Sequence, residues 1–291
     1  MSLLLYVNSA KFAAQKYQES ILTVASGLKQ RVLTAFIFGI PVLILLFYND
    51  LTRTIFVAAL LFLTGVEYLQ LHYKPLTKSL IPVIISLLVM GGLAYVSLNK
   101  LVPPIWLLVP TLLVSFLFLI DLLFIEVPFL RAIPWLTNLG YTTLPFSLLL
   151  AQSSLQHFSA LIIGSLILIW VSDSGAYFVG RSIGKRKLMP TVSPGKTWEG
   201  FWGAGMCTVL ASYLFFSLMG VFSLQTWVCI ALSVWLFGSL GDLVESKIKR
   251  RLKIKDSGTL LPGHGGFLDR FDGYYFCLPF VILSLIITNQ L

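Results

Sequence analysis

The feature that most constrains this chain is a succession of apolar runs, each about 20 residues long, the length an α-helix needs to cross roughly 30 Å of hydrocarbon. Lipid offers backbone groups no hydrogen bonds, so runs of this kind fold as helices that satisfy their own amides. The expected fold is all-α, a polytopic helical membrane protein with about nine transmembrane helices. Their approximate bounds are 31–49, 52–71, 79–98, 104–124, 132–151, 157–179, 200–222, 225–245 and 271–289. Composition agrees: the chain is 57% hydrophobic and only 11% charged, which excludes an ordinary soluble domain. Cys207, Cys229 and Cys277 lie inside apolar runs at spacings that fit no metal motif, and they read as packing residues.

Charge sets the orientation. With a cytoplasmic N-terminus, 19 lysines and arginines fall on the cytoplasmic side and only Arg53 and Lys100 on the other, as the positive-inside rule requires. Nine crossings then put Leu291 outside. The two longest loops, about 180–199 and 246–270, face the cytoplasm. The same asymmetry accounts for the net charge of +9, so nucleic acid is not expected as a partner. The expected location is the cell inner (plasma) membrane, with the active site on the cytoplasmic side.

Three parts are expected. Residues 1–28 read as an amphipathic N-terminal helix or an added leader, with Phe12, Tyr17, Ile21 and Val24 at helical spacing. Residues 29–156, whose intramembrane charges are Glu67 and Asp121, read as a transmembrane scaffold. Residues 157–291, which carry Asp173, Asp242 and Glu245 near helix ends, read as the catalytic part with its two cytoplasmic loops.

The densest charge lies between Ser239 and Gly273: five acids, seven bases, one histidine and six glycines. Asp242 and Glu245 are three residues apart on one helix face, as are Asp269 and Asp272. Ionisable groups in spanning helices face a cavity, a partner or an ion. Converging carboxylates repel one another unless a hard cation such as Mg²⁺ lies between them. The alternative is that they pair with the nearby lysines and arginines. His264-Gly265-Gly266 is a turn whose glycines permit close backbone approach to phosphate; His264 reads as a base or as a structural hydrogen bonder. In the other loop, Ser193, Lys196 and Thr197 offer two hydroxyls and an ammonium to a polyanion, Ser193-Pro194 reads as a turn start, and Glu199 as a first-turn helix acid. Asp173 sits among small residues and reads as a ligand contact or an interhelical acceptor.

The run Ser246-x-Ile-Lys249-Arg250-x4-Lys255-Asp256-x-Gly258-x2-Leu261-Pro262-x-His264-Gly265-Gly266-Phe267-x-Asp269-Arg270-Phe271-Asp272 resembles the signature of the CDP-diacylglycerol synthase family, the phosphatidate cytidylyltransferases. Ser172-Asp173…Ala176-Tyr177 and Ser193-Pro194-x-Lys196-Thr197-x-Glu199-Gly200 are also similar to that family. The likeness is strongest from about 170 to 273.

The resemblance implies an integral membrane nucleotidyltransferase of phospholipid biosynthesis. It would convert CTP and phosphatidic acid to CDP-diacylglycerol and pyrophosphate, by direct attack of the lipid phosphate on the α-phosphate. On that reading Asp242, His264, Asp269 and Asp272 are catalytic. Asp242, Asp269 and Asp272 hold Mg²⁺, with a second metal ion left open. Asp173, Ser193, Lys196, Thr197, Lys255, Asp256, Gly265, Gly266 and Arg270 contact substrate. Partners are CTP, phosphatidic acid and membrane lipid, and a homo-oligomer is compatible with such a chain. The alternatives are a cation- or proton-coupled membrane transporter and a CTP-dependent lipid kinase.

Overall fold

The computed structural model describes residues 41–42, 44–45, 48–73, 77–99, 101, 103, 105–124, 126–152, 156–258 and 265–291. The expected N-terminal helix and most of the span at 31–49 lie outside the described residues. Helix α1 (Asp50–His72) opens on a capping box, with Asn49 accepting from the Thr52 amide at 2.8 Å and Thr52 Oγ1 accepting from the Asn49 amide at 3.1 Å. Then come α2 (Thr77–Leu98) and α3 (Ile105–Leu123), each with an internal proline. The span expected at 132–151 is a buried, interrupted rod: α4 (Phe129–Ala132), α5 (Pro134–Asn138), a π turn (Leu139–Thr143) and α6 (Leu144–Leu150).

The second half holds α7 (Phe158–Ile183), a hairpin of β1 (Lys187–Met189) and β2 (Ser193–Thr197), α8 (Trp198–Met219), α9 (Leu224–Ser233), a second π turn (Val234–Gly238), α10 (Ser239–Arg251) and α11 (Leu268–Ile287). Six helices among the described residues are long and apolar enough to cross a membrane: Leu51–His72, Ile105–Leu123, Phe158–Ile183, Trp198–Met219, Leu224–Arg251 and Leu268–Ile287. The polytopic helical architecture stands; the count of nine is not reached among the described residues.

Two expectations change. The chain is not purely helical, because Ser193-Pro194 does not start a turn but opens strand β2, which pairs antiparallel with β1 in the register Lys187↔Thr197 and Met189↔Ser193. The hairpin closes because both arms are pinned at its base. The Trp198 amide donates to Arg186 O at 2.9 Å, Glu199 accepts from the Lys185 and Arg186 amides, and Thr197 Oγ1 caps α8 through the Gly200 amide at 3.2 Å. Glu199 thus sits in the first helical turn, as expected. The loop expected at 246–270 begins as helix: α10 runs on to Arg251, its last-turn bases Lys249, Arg250 and Arg251 complementing the helix C-terminus. Lys253, at φ 58°, ends it in the left-handed region.

Helix α11 is the central rod, buried from Gly273 through Ile282. By contrast α8 exposes Trp198, Trp202, Met206, Leu210, Leu214 and Leu218, an i,i+4 stripe suited to lipid. Helices α7 and α8 approach at small residues. A Cβ on Gly200 would stand 2.7 Å from Ala176 O, and one on Gly203 would stand 2.5 Å from the Val179 side chain.

Candidate active site

Both long loops meet at one end of the bundle. Arg250 Nε donates to Val192 O at 3.3 Å, tying α10 to the hairpin. Between them opens a cavity of about 670 Å³. Asp173, Asp242, Glu245, Asp269 and Asp272 line it, together with Arg181, Lys196, Lys249 and Arg270. Ile169, Trp170, Phe201 and Val234 form an apolar wall on the side of the spanning helices.

The acids gather for a backbone reason. Helices α10 and α11 cross at glycines: a Cβ on Gly241 would lie 3.0 Å from Asp272 O, and one on Gly273 3.0 Å from Gly238 O. That crossing brings Asp242 and Asp272 within electrostatic range of each other, and Asp173 within range of Asp242. Their mutual repulsion is offset locally by Lys196 on β2, whose ammonium lies 2.6 Å from Asp242 Oδ2 and donates to Ser239 O at 3.1 Å. Ser246 Oγ donates to Asp242 Oδ1 at 3.3 Å.

Asp269 has different surroundings. Lys249 Nζ lies 2.6 Å from its Oδ1 and 2.6 Å from Glu245 Oε2. The Ser257 and Gly266 amides each donate to Oδ2 at 2.9 Å. Both Asp269 oxygens are thus engaged within the protein. Among the described residues no group of three His, Cys, Asp or Glu is arranged to hold a metal.

Of the residues singled out in the sequence, Asp173, Ser193, Lys196, Thr197, Asp242, Asp269, Arg270 and Asp272 line the cavity. Lys255, Asp256, Gly265 and Gly266 are not among its lining residues, and His264 lies outside the described residues. The Gly266 amide is engaged by Asp269. Gly265 adopts φ 87°, the left-handed backbone that its glycine permits.

The alternative of pairing with nearby bases holds at Lys249, which links Glu245 and Asp269, the first through a legible i,i+4 spacing. A second pairing was not anticipated. Asp121 takes Arg251 through two bonds, at 2.6 and 3.0 Å, accepts from the Val127 amide at 2.8 Å and stands 3.7 Å from Lys247 Nζ. No local pattern marks a contact made across 130 positions. An acid of the first half thus clamps the end of α10.

Comparison with known proteins finds relatives of one name. A phosphatidate cytidylyltransferase of Bacillus subtilis is 50% identical over 121 residues, covering 41% of this chain and 45% of the relative. Phosphatidate cytidylyltransferases of Staphylococcus epidermidis and Staphylococcus haemolyticus are each 45% identical over 129 and 127 residues, covering 44% and 43% of this chain. The matched stretch spans about half the length of these relatives, 45%, 49% and 48% of each in turn. The model of the cytidylyltransferase family matches residues 29–288, nearly the whole chain and both walls of the cavity; the chain belongs to that family.

Proposed function

We propose that this protein is a membrane phosphatidate cytidylyltransferase that makes CDP-diacylglycerol and pyrophosphate from CTP and phosphatidic acid. The observation that carries the reading is the two-sided cavity. One wall is polar, built where two basic loops meet, and the other is apolar, built from spanning helices. A nucleoside triphosphate from water and an anionic lipid from the bilayer can meet there. The names of the relatives point to the same substrates.

The chemistry is one displacement. A phosphate oxygen of phosphatidate attacks the α-phosphorus of CTP, and the bond from that phosphorus to the bridging oxygen breaks. The electron pair leaves with pyrophosphate. A lipid phosphate is already anionic, so no side chain has to deprotonate it, and no covalent intermediate on the protein is required. Positioning and charge neutralisation carry such a transfer. Lys196 and Arg270, which line the cavity, would neutralise the phosphates, and Trp170 and Phe201 would flank the lipid.

The donor set fits Mg²⁺. This ion takes one or two carboxylates and completes its shell with water and substrate phosphates rather than with a full protein cage. Asp242 and Asp272 would hold it, with Asp173 beside them; Asp269 would act from behind, through Lys249 and the loop amides. When bound, Mg²⁺ would neutralise charge developing on the phosphate oxygens.

Purified protein supplied with labelled CTP, phosphatidate and Mg²⁺ should yield a labelled lipid and pyrophosphate. Release of CDP with a newly phosphorylated lipid would assign a kinase instead. Substrate-independent cation flux in vesicles would assign a transporter. The site is proposed to face the cytoplasm of the inner membrane. Ser257 is buried, so exposed Lys185→Cys and Lys255→Cys are the probes, in a background lacking native cysteines. Both should label from the cytoplasmic side of sealed vesicles; labelling only from the outside would reverse the topology.

A further inference from the structure

Helix α11 begins without a local cap. Its N-cap is Phe267, whose side chain accepts nothing, although the first amides of a helix need acceptors. The acceptor comes from the other half of the chain. Glu67, on α1 and 1% exposed, takes the Leu268 amide on Oε2 at 2.8 Å and the Ser257 hydroxyl on the same oxygen at 3.4 Å.

Two glycines of the signature run leave room for it, Gly266 also for the Ser257 hydroxyl, which a Cβ there would meet. A Cβ on Gly258 would stand 2.5 Å from Glu67 Oε1, and one on Gly266 would stand 2.5 Å from Oε2. Asp269 grips the same backbone from the other side, through the amides of Ser257 and Gly266. Two carboxylates thus hold one loop junction between them. Burying Glu67 is costly, the more so because Oε1 has no hydrogen-bond partner among the described residues. An apolar side chain would fill the space at less cost, so the carboxylate itself is what the site requires.

We infer that Glu67 is a positioning residue: a carboxylate from the first half of the chain that fixes the start of α11, and with it the bearing of Asp269 and Asp272 on the cavity. Its kinetic consequence rests on the nucleotidyl-transfer reading; its structural consequence rests on the contacts alone.

The test uses the full chain in lipid nanodiscs, as wild type, Glu67→Gln, Gly258→Ala and the double variant Glu67→Asp/Gly258→Ala. Hydrogen exchange at Ser257, Gly266 and Leu268 reads the junction. Kinetics read kcat, KM for CTP and the Mg²⁺ concentration for half-maximal rate. Glu67→Gln should speed exchange at those three amides while α3 keeps its protection. It should lower kcat by about tenfold to a hundredfold, the cost of a misplacement of order 1 Å, and raise the Mg²⁺ requirement while KM for CTP stays within about twofold. Gly258→Ala should behave alike. Shortening the acid makes room for the new methyl, so the double variant should recover exchange protection and melting temperature relative to Gly258→Ala.

Wild-type exchange and kinetics in Glu67→Gln would overturn the inference. So would a loss of protection throughout the chain with kcat and Mg²⁺ response unchanged, which marks a merely structural residue. A double variant no better than Gly258→Ala would overturn the contact. A wild-type protein that makes no CDP-lipid would sink the functional reading instead, leaving exchange and rescue to decide the role of Glu67.

Discussion

Asp121 and Asp242 both lie in long apolar helices close to the loop end of the bundle, yet their surroundings are opposite. The Asp121 side chain is 6% exposed and fully engaged by Arg251, Lys247 and the Val127 amide. Asp242 is 38% exposed and meets one ammonium and one hydroxyl at the wall of a cavity. A carboxylate whose acceptor sites are filled by its own protein has little left for a ligand. One that is half open and crowded by Asp272 and Asp173 gains from an incoming cation. The same residue type is thus a clamp in one half and, on the proposed reading, a binding group in the other.

Five variants can break or sharpen that contrast. The largest effect is expected from Asp242→Asn and Asp272→Asn, which keep shape and remove charge. Each should melt near the wild-type temperature and lose about 10²-fold or more in Mg²⁺-dependent rate, the scale of losing a preorganised electrostatic contact. Full activity in both would erase the distinction. Asp121→Asn should do the reverse. Breaking a pair this buried removes about 3–5 kcal/mol of stability, visible as a lower melting temperature in detergent, while the surviving protein keeps the wild-type Mg²⁺ titration.

Lys196→Ala lies between these extremes. Losing one charge-assisted contact costs roughly 1.5–3 kcal/mol, or about tenfold or more in rate. Since Lys196 also neutralises Asp242 in the free protein, the variant should bind Mn²⁺ more tightly without nucleotide, measured by paramagnetic relaxation. Unchanged kinetics and Mn²⁺ affinity would reduce Lys196 to a topology charge. Lys255→Ala should have the smallest effect, a rate within about twofold of wild type, since the residue is exposed and does not line the cavity. A loss as large as that of Lys196→Ala would bring Lys255 back to the phosphates.

How much of this was legible follows from the range of each interaction. The membrane class and most helices were readable, because about 20 apolar residues in a row have one stable arrangement in lipid. The meeting of the two loops was readable through their shared charge and the signature run. The hairpin was not: Ser193-Pro194-Gly195-Lys196-Thr197 has weak strand propensity, and its pairing is imposed by Glu199, Thr197 and Arg186 at its base. The extension of α10 was hidden because hydropathy stops where Lys247 begins, whereas helix hydrogen bonding does not. Glu67 and Asp121 were seen as charges in a scaffold, but their partners lie 201 and 130 positions away, beyond any local pattern. Lys249, which bridges Asp269 to Glu245 from the neighbouring helix, was legible only through its i,i+4 spacing from Glu245.

The π turn at Val234–Gly238 makes α9 and α10 one continuous rod with a phase slip in it. A π turn holds one more residue than the α turn it replaces, and each residue of an α-helix advances about 100° around the axis. The Trp235 indole locks the slip by donating to Phe201 O on α8 at 2.7 Å. The turn absorbs its own extra residue, so deleting one residue beyond it, such as Leu240 of α10, would leave the segment just as apolar and just as able to span a bilayer. It would swing Asp242, Glu245 and Lys249 together by about 100° relative to α9, turning them out of the cavity. The chemistry of this end of the molecule therefore depends on angular phase as much as on residue identity, and a substitution scan that preserves length would never reveal it.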